Sequence, residues 1–507
     1  MLRYPDRPPV RETSPAVHRS RLTRRQFLTR AAETAAVATA GGGAYALISS
    51  SGGERQALRA WRFHSRPDLH PPVVRVSGHS PTPGYLVLGP GTSDGAQAGP
   101  LLVDGRGDPA WYVPLGGELW ASNVRVSQYD GRPVLMWWAG TVDTPVGYGR
   151  GEGVILDSSY RELRRLSAVD GRQMDVHELR LTTAGTALFT CFPLTVEADL
   201  REVGGSRYGR VLESVFQEVD LRSGRLLLEW RSLGHIPIAD SYRPPADPYD
   251  YLHINSIDIA PDGHFLVSAR HTWALYKLHR RTGEVIWRLG GKHSDFAMGP
   301  GAQFFWQHDA AQLSADRITV FDDGSDGATR TVSESRGVVL AVDETARTAR
   351  LAHAYRPPKR RLASAMGSMQ TLPNGHVLVG WGTEPYASEF AADGRLVSDV
   401  QMLAGKQSYR AFRLPWSGTP TGSPAVAAVR HRSTGTTTLY VSWNGATEVA
   451  RWQLRAGPSA DALRPYRTVM RNGFETAIGL GSMSGHCAVT ALDAESRPIA
   501  TSATIHV

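Results

Sequence analysis

The feature that most constrains this fold is a turn followed by a short apolar strand, which recurs along the chain. SGRLLLEW at residues 223–230 and TGEVIW at 282–287 both begin at a glycine turn and end in tryptophan. PDGHFLV at 261–267 and PNGHVLV at 373–379 repeat a second version of this unit. Loose repeats of about 40–60 residues, each with several short strands, are typical of a β-propeller. The sequence therefore predicts an all-β chain with a propeller over residues 60–415.

The composition fits a β-rich chain and narrows the choice of partners. The sequence has 507 residues, enough for two or three domains, with 52 glycines and 32 prolines between short apolar runs. Its net charge is +8, and part of that charge lies in the arginine-rich N-terminal segment. Elsewhere no long Lys/Arg run with interleaved aromatic residues occurs. We therefore expect no nucleic-acid partner.

The last part of the chain has a different character. Over residues 419–507, short apolar runs such as 436–443 and 448–454 alternate with turns, one of which is the Asn-Gly pair at 444–445. Short strands at regular spacing are typical of a β-sandwich of the immunoglobulin or fibronectin type III kind. The sequence predicts such a domain over 419–507, with Trp443 in its core.

Residues 1–45 have the pattern of an export signal. Paired arginines in TRRQFL at 23–28 precede a moderately apolar, alanine-rich run at 31–49. This pattern predicts a twin-arginine signal and export to the cell envelope or the exterior. Glu33 and a glycine triplet make the run a poor membrane span. The alternative is an uncleaved signal that anchors the chain, and it is the only membrane contact that we expect.

The two cysteines, Cys191 and Cys487, limit the redox and metal chemistry of the chain. The sequence contains no CxxC, which excludes a thiolate zinc site and a thioredoxin-like motif. In an exported protein the two could pair. Because they fall in different predicted domains, we expect two separate buried thiols.

Polar side chains stand within apolar, strand-like sequence between residues 250 and 310. His253 and Asn255 are two apart among leucine and isoleucine, and residues two apart in a strand point to the same side. Arg270 ends a second apolar run, and His308 follows a run of aromatic residues. Each histidine alone is explained as a hydrogen-bonded structural residue. Buried polar groups need partners, so as a set these residues either satisfy one another or bind a ligand. We favour a site where successive blades converge.

Four short motifs carry a resemblance to a known family. They are DVHE at 175–178, HINS at 253–256, SARH at 268–271 and WQH at 306–308. In this order the chain resembles the bacterial arylsulfotransferases that work without a nucleotide sulfate donor, in particular the divergent secreted branch found in actinobacteria and fungi. The resemblance extends over roughly residues 60–410 and is more specific as a set than any one motif.

The resemblance implies a six-bladed propeller and a secreted enzyme without a cofactor. In this family a histidine attacks the sulfur of an aryl sulfate ester, and the resulting sulfohistidine passes the sulfuryl group to a phenolic acceptor. By motif, His308 would be the nucleophile, and a neutral imidazole suits that role near pH 7. His253, Asn255 and Arg270 would hold the sulfuryl oxygens, since fixed donors stabilise a spread negative charge. His177 would bind another oxygen or handle a proton.

The sequence neighbours of these residues are not expected to take part in the site. Adjacent residues of a strand face opposite sides, so His271 is expected to point away from Arg270. For the same reason Asp309 is not favoured as the group that orients His308. GGKH at 290–293 lacks the spacing of a phosphate-binding loop, which agrees with a donor other than a nucleotide.

Two other classes of function remain open at this stage. Converging histidines, with Asp175 or Glu178 in support, could hold a transition metal, although a fixed cation such as Arg270 beside a metal is unfavourable. A quinone-dependent propeller enzyme belongs to the same class. The third possibility is a non-catalytic secreted propeller that binds a ligand or a cell-surface partner. We favour the transferase.

Overall fold

The computed structural model describes residues 59–91, 95–144, 146–403 and 407–507. The predicted signal over 1–45 lies outside these residues. The described residues belong to one compact unit. Among them, no helix is long and apolar enough to cross a membrane.

Strands dominate the described chain, and the first twelve precede residue 232. The first four are β1 Val74–Gly78, β2 Tyr85–Pro90, β3 Leu101–Val103 and β4 Pro109–Tyr112. The next eight are β5 Trp120–Tyr129, β6 Arg132–Asp143, β7 Tyr148–Leu156, β8 Glu162–Leu166, β9 Met174–Leu181, β10 Thr186–Ala198, β11 Gly209–Asp220 and β12 Leu226–Arg231.

The middle of the chain continues the same pattern of short strands and turns. A group of four contains β13 Ile254–Ile259, β14 Phe265–Ala269, β15 Ala274–Leu278 and β16 Val285–Gly290. A group of five follows: β17 Ala297–Met298, β18 His308–Ser314, β19 Arg317–Asp322, β20 Arg336–Asp343 and β21 Thr348–Tyr355. The next five are β22 Ser368–Thr371, β23 Val377–Gly380, β24 Tyr386–Phe390, β25 Leu396–Met402 and β26 Ser408–Leu414.

The C-terminal part contributes eight strands. They are β27 Ala425–Arg430, β28 Thr437–Ser442, β29 Arg451–Gly457, β30 Arg464–Met470, β31 Glu475–Gly481, β32 His486–Leu492, β33 Pro498–Thr501 and β34 Ile505–His506. The helices of the described residues are single 3₁₀ turns at Arg201–Val203, Ile238–Asp240 and Ala460–Ala462.

Up to β26 the strands form antiparallel sheets that follow the chain, except for one parallel edge pair, β17 with β21. One bridge, between Gly151 and Met174, joins β5–β8 to β9–β12 in the largest sheet. The chain ends cross over: β26 pairs with β2 in the first sheet, and β1 pairs with β25 in the last. Hydrogen bonds between distant parts of the sequence therefore fasten the first and last sheets.

One series of strands, taken from different parts of the sheets, packs side by side. β5 lies against β9, β9 against β13, β13 against β18, and β18 against β22. β22 then contacts β26, and β26 contacts β5, so the series of contacts returns to its start. The first residues of these strands are therefore brought together, although they are far apart in sequence.

The repeated turn-and-tryptophan unit interlocks adjacent sheets. Gly283, in the turn before β16, has φ +75°, and a Cβ there would lie 2.8 Å from the Trp230 ring at the end of β12. The Trp230 indole donates a hydrogen bond to the Gly283 carbonyl at 3.0 Å. A glycine is required at this turn because it supplies the left-handed backbone and leaves room for the ring.

The C-terminal strands form two antiparallel sheets with a shared core. One sheet is β27-β28-β31, and the other is β30-β29-β32-β33 with β34 beside β32. Trp443, Trp452 and Cys487 lie in the apolar cluster between them, so the prediction of a buried Trp443 is confirmed. Cys191 belongs to a different cluster, and both cysteines are free and buried, as expected.

Candidate active site

The interior of one strand and the ends of three others carry the candidate residues. His177 lies on β9, and His308 is the first residue of β18. His253 directly precedes β13, and Arg270 directly follows β14. Because β9, β13 and β18 are neighbours, these side chains converge, and all of them are buried.

His177 and His253 contact each other directly. Their Nε2 atoms are 3.1 Å apart, and the rings meet edge to face. Nδ1 of His177 lies 2.5 Å from Asp175, and Nδ1 of His253 lies 2.6 Å from Asp250. Two imidazole nitrogens at this distance share one proton, because one must donate and the other accept. The pair is therefore a proton-holding unit between two carboxylates.

Arg270 and His271 lie together, so the expectation that His271 points away from Arg270 is wrong. Nη1 of Arg270 is 3.3 Å from Nε2 of His271, and the His271 ring is 4.7 Å from that of His253. β14 ends at Ala269, and the N–H groups of residues 270 and 271 both bond to the segment before β13. The alternation of a strand does not apply to this turn.

His308 has a defined partner at each ring nitrogen. Nδ1 lies 2.8 Å from the Asp323 carboxylate, and Nε2 accepts the backbone N–H of Met366 at 3.2 Å. The proton is therefore on Nδ1, and the lone pair is on Nε2. Asp309 does not touch this ring: it accepts the Met369 N–H at 3.0 Å and faces Arg410 at 3.1 Å.

Asn255 is fully buried and holds the backbone of the neighbouring strand segment. Its amide donates to the Gln307 carbonyl at 2.6 Å. Its Oδ1 has no hydrogen-bond partner in the described structure. Its role as a donor to substrate stays a prediction, and the unpaired acceptor is the atom that a ligand could still engage.

Two tyrosines complete the cluster, and no pattern in the sequence points to either. The Tyr409 ring, on β26, lies 5.9 Å from the ring of His177 and 6.5 Å from that of His308. The Tyr148 hydroxyl donates to Asp250 at 2.9 Å while its ring packs on His253 at 4.6 Å. Burial raises the pKa of both phenols, so both stay protonated.

Burial favours the neutral form of three histidines, His253, His271 and His308. It lowers the pKa of His308 well below the ordinary value, and the positive charge of Arg270 adds to the effect. The pKa of His271 is likewise far below, and that of His253 is lowered although Asp250 opposes the shift. Near pH 7, His308 is therefore uncharged, and its Nε2 lone pair accepts the Met366 N–H.

The supporting carboxylates differ in charge state. Burial alone would raise the pKa of Asp250, but His253 and His271 lower it overall, and His177 does the same for Asp175. Burial raises the pKa of Asp323 well above its ordinary range, and Arg270 opposes this.

A buried ion pair lies on the other side of Tyr409. Arg410 binds both oxygens of Glu178 at 3.0 Å, and Arg125 approaches Glu178 at 3.4 Å. Burial opposes ionisation, but the arginines bring the pKa of Glu178 down to about 2. Glu178 is thus fully paired, which disfavours its use as a metal ligand.

One group of described residues has the composition of a metal site. Ligand atoms of Asp250, His253 and His271 lie within 4.8 Å of one another. The facing nitrogen of His253 is already 2.6 Å from Asp250, and the Arg270 guanidinium is 3.3 Å from His271. A fixed cation at that distance favours a hydrogen-bonded network around an anion over a bound metal.

The match to a known family covers most of the sheets described above. The family model of the arylsulfotransferases (ASST) matches residues 125–402, more than half of the chain. The chain belongs to the arylsulfotransferase family. His177, His253, Arg270 and His308 all lie within the matched region of this arylsulfotransferase-family chain, whereas Tyr409 follows it.

Solved structures similar to this family member are distant. A protein of unknown function from Bacteroides caccae is 14% identical, covering 65% of this chain and 98% of that one, with a TM-score of 0.41. The Dos1 propeller is 9% identical (71% and 73% covered, TM-score 0.30). An inactive variant of virginiamycin B lyase from Staphylococcus aureus with quinupristin is 8% identical (73% and 97%, TM-score 0.34). No curated protein matches the chain.

Proposed function

We propose that this chain transfers a sulfuryl group from an aryl sulfate ester to a phenolic acceptor through a sulfohistidine at His308. The observation that carries the proposal is the state of His308, whose uncharged ring has its proton on Nδ1 and its lone pair on Nε2. An uncharged imidazole with its second nitrogen fixed by a carboxylate is an activated nucleophile.

In the first step the Nε2 lone pair of His308 forms a bond to sulfur. The bond between sulfur and the aryl oxygen breaks, and its electron pair leaves with the phenolate. The phenolate takes the proton held between His177 and His253. Charge that spreads over the sulfuryl oxygens is stabilised by Arg270, whose fork suits an oxyanion.

In the second step an acceptor phenol returns that proton to the histidine pair as its oxygen attacks sulfur. The nitrogen–sulfur bond breaks, and its electrons return to Nε2 of His308. Between the steps the sulfated ring carries positive charge, and the hydrogen bond that its Nδ1–H donates to Asp323 at 2.8 Å stabilises that charge. No cofactor is needed for this balance.

The segment from residue 362 to 367 must yield for the reaction to begin. Its Met366 N–H occupies the lone pair of His308, and its Ser364 carbonyl accepts a hydrogen bond from Arg270 at 2.6 Å. These are the two groups that the substrate requires. An incoming sulfate would replace the carbonyl at Arg270, and the released Met366 N–H would become a further donor to a sulfuryl oxygen.

The proposal also covers the number of propeller blades, the C-terminal domain and the export of the protein. The ring of contacts through β5, β9, β13, β18, β22 and β26 supports six blades, and the two C-terminal sheets around one core support an immunoglobulin-like sandwich. Twin arginines near the N-terminus support export to the cell envelope or the exterior. Placement in the secreted actinobacterial-type branch belongs to this proposal too.

The decisive experiment combines turnover with intact mass. Purified protein is incubated with 4-nitrophenyl sulfate, with and without phenol, and the released nitrophenol is measured. We expect release that depends on phenol, and one sulfuryl adduct when the donor is given alone. His308→Ala should show neither, whereas His293→Ala, at an exposed histidine paired with Asp240, should match the parent.

The other outcomes identify the competing functions. An adduct that persists in His308→Ala would move the nucleophile to His177 or His253. Release without phenol would indicate hydrolysis. No adduct, together with a stoichiometric metal ion that His271→Ala abolishes, would favour the Asp250–His253–His271 group as a metal centre. If neither an adduct nor a metal ion is found, the result would favour the non-catalytic binding protein.

A further inference from the structure

A surface cleft of about 450 Å³ adjoins the candidate active site. Ser364 lines this cleft, and the Ser364 carbonyl accepts the hydrogen bond from Arg270. Met366, two residues later, contacts His308. Two residues of chain span at most about 7 Å, so only this short segment separates the cleft from the reactive groups. The volume lies within the range of small-molecule sites.

The cleft is lined by charged side chains whose sum is positive. Arg330 and Arg360 face Glu384 across it, which gives two positive charges and one negative, a net charge of +1. Arg360 is held by one contact, from Nε to the Ser333 carbonyl at 2.9 Å. No hydrogen bond or ion pair of the Arg330 side chain is found within the described part of the chain.

The other acids near the cleft are already neutralised. Asp326 pairs with Arg243 at 3.0 Å, and Glu334 pairs with Arg356 at 2.8 Å. Because Asp326 and Glu334 are paired with these arginines, they do not neutralise Arg330 and Arg360, whose charge stays available to a ligand. An arginine fork binds a carboxylate with two parallel hydrogen bonds, which makes carboxylates its preferred small partner.

We propose that this cleft is a recognition subsite for a carboxylate group carried by the aryl substrate. The ring would lie along Leu362, the carboxylate would bind Arg330 and Arg360, and the phenolic oxygen would reach past the displaced segment toward His308. Glu384 leaves one net positive charge, so the subsite favours a single carboxylate. The proposal rests on the proposed function, whose substrate class it narrows to carboxylate-bearing phenols and their sulfate esters.

The test compares three acceptors that differ only in the charge of the side chain. With 4-nitrophenyl sulfate as donor, kcat/KM is measured for 4-hydroxyphenylacetate, 4-ethylphenol and tyramine. We expect the carboxylate to exceed the neutral phenol about tenfold, with tyramine lowest, because each charge-assisted hydrogen bond adds discrimination. Arg330→Ala combined with Arg360→Ala should remove the preference for the carboxylate over the neutral phenol.

Two further variants make the comparison specific. Arg356→Ala removes a neighbouring arginine that is paired with Glu334 and lies outside the cleft lining, so the preference should persist. Glu384→Gln removes the opposing charge and should increase the preference for the carboxylate. Equal efficiencies for the three acceptors in the parent protein would overturn the subsite while leaving the transferase proposal intact.

Binding measured without turnover separates the two proposals. Isothermal titration with 4-hydroxyphenylacetate is run on the parent and on the double variant. Suppose that the parent protein turns over no aryl sulfate but binds the carboxylate, and that the double variant does not bind it. The transferase proposal is then overturned, and the carboxylate subsite is supported. If turnover fails and binding is absent or unchanged in the double variant, both proposals are overturned.

Discussion

The state of His308 depends on two contacts. Asp323 accepts from Nδ1 at 2.8 Å, and the Met366 N–H occupies Nε2 at 3.2 Å. The first contact fixes the tautomer, and the second covers the reactive lone pair until substrate arrives. Asp323 lies fifteen residues beyond His308, so no local motif points to it.

Replacing Asp323 with asparagine should slow sulfation of His308 without weakening substrate binding. The NH₂ group of the amide can donate to Nδ1, which moves the ring proton to Nε2 and removes the lone pair that attacks sulfur. We expect kcat to fall about 100-fold with KM nearly unchanged. Single-turnover formation of the adduct, followed by mass, measures the effect. Asp316→Asn, at an exposed site, serves as the control; an equal loss there, or no loss at Asp323, would contradict this role.

The lowered histidine pKa values predict loss of stability in mild acid. In the unfolded chain these histidines bind protons below about pH 6.5, whereas His253, His271 and His308 resist protonation when folded. The unfolded state then binds more protons, so stability falls as pH falls. Carboxyl groups of ordinary or lowered pKa do not yet titrate between about pH 6.5 and pH 5. Asp323, whose pKa burial raises, has the opposite effect on stability, but the three histidines outnumber it.

Calorimetry across this range should show a falling Tm. His308→Gln removes one of the titrating groups, so the fall should become shallower in that variant. A Tm that is flat from about pH 6.5 to pH 5 would contradict the neutral state of the buried histidines.

Several short segments around the site adopt strained backbone. The residues with left-handed φ are His253 at +58°, Trp306 at +56°, Asp309 at +50° and Met366 at +69°. Each costs of order 1–3 kcal/mol and persists only where the surroundings fix it. Strain of this kind is concentrated at functional sites, and here it lies at the ends of strands and in the covering segment.

The covering segment depends on Gly367. Its φ is +101°, and a Cβ there would lie 2.3 Å from the buried Phe321 ring. Gly367→Ala should displace the segment, reduce stability by more than about 2 kcal/mol and change the rate of adduct formation. Gly375→Ala is a matched control, because φ is +82° but no atom lies within 4 Å.

The Gly375→Ala control separates the cost of a left-handed backbone from the cost of a steric clash. Gly375→Ala should cost about 1–2 kcal/mol in urea unfolding and leave adduct formation unchanged. If the two alanine variants behaved alike in stability and rate, the segment would not be held by the contact with Phe321.

In the molecule as a whole, Arg410 connects several sheets through hydrogen bonds and ion pairs. It lies on β26, at the end of the sheet region, and is buried. Its partners come from other strands: Glu178 on β9, Asp309 on β18, the Asn255 carbonyl on β13 and Asn123 on β5. The carboxylates raise the pKa of Arg410 although burial opposes this.

Removal of this arginine should destabilise the whole protein. Arg410→Met leaves Glu178 buried with fewer positive partners, and we expect a loss of about 3–5 kcal/mol in urea unfolding. Arg410→Lys keeps the charge but not the fork, so its loss should be smaller. Arg317→Ala, in an exposed pair with Asp316, should cost less than about 1 kcal/mol. A similar small loss for Arg410→Met would contradict the central role.

Local sequence carried the candidate histidines and those partners that lie a few residues away, such as Asp250 for His253. His177 and its partner Asp175 are two apart, and DVHE held both. The partners of the other groups are set by turns and by other sheets: His271 lies beside Arg270 because β14 ends before them, and Tyr409 arrives on the returning strand. Strand alternation cannot predict either arrangement, because it holds only inside a regular strand.

By itself, the sequence determined that this chain is built from short strands in repeated units and that it belongs to the arylsulfotransferase family. Turn glycines, apolar runs and short motifs are local signals, and local signals suffice for both conclusions. Only the tertiary structure decided which carboxylate orients each histidine, that His308 is neutral, and that residues 362–367 cover the site. These depend on burial and on contacts between distant strands, which are long-range properties that no local pattern encodes.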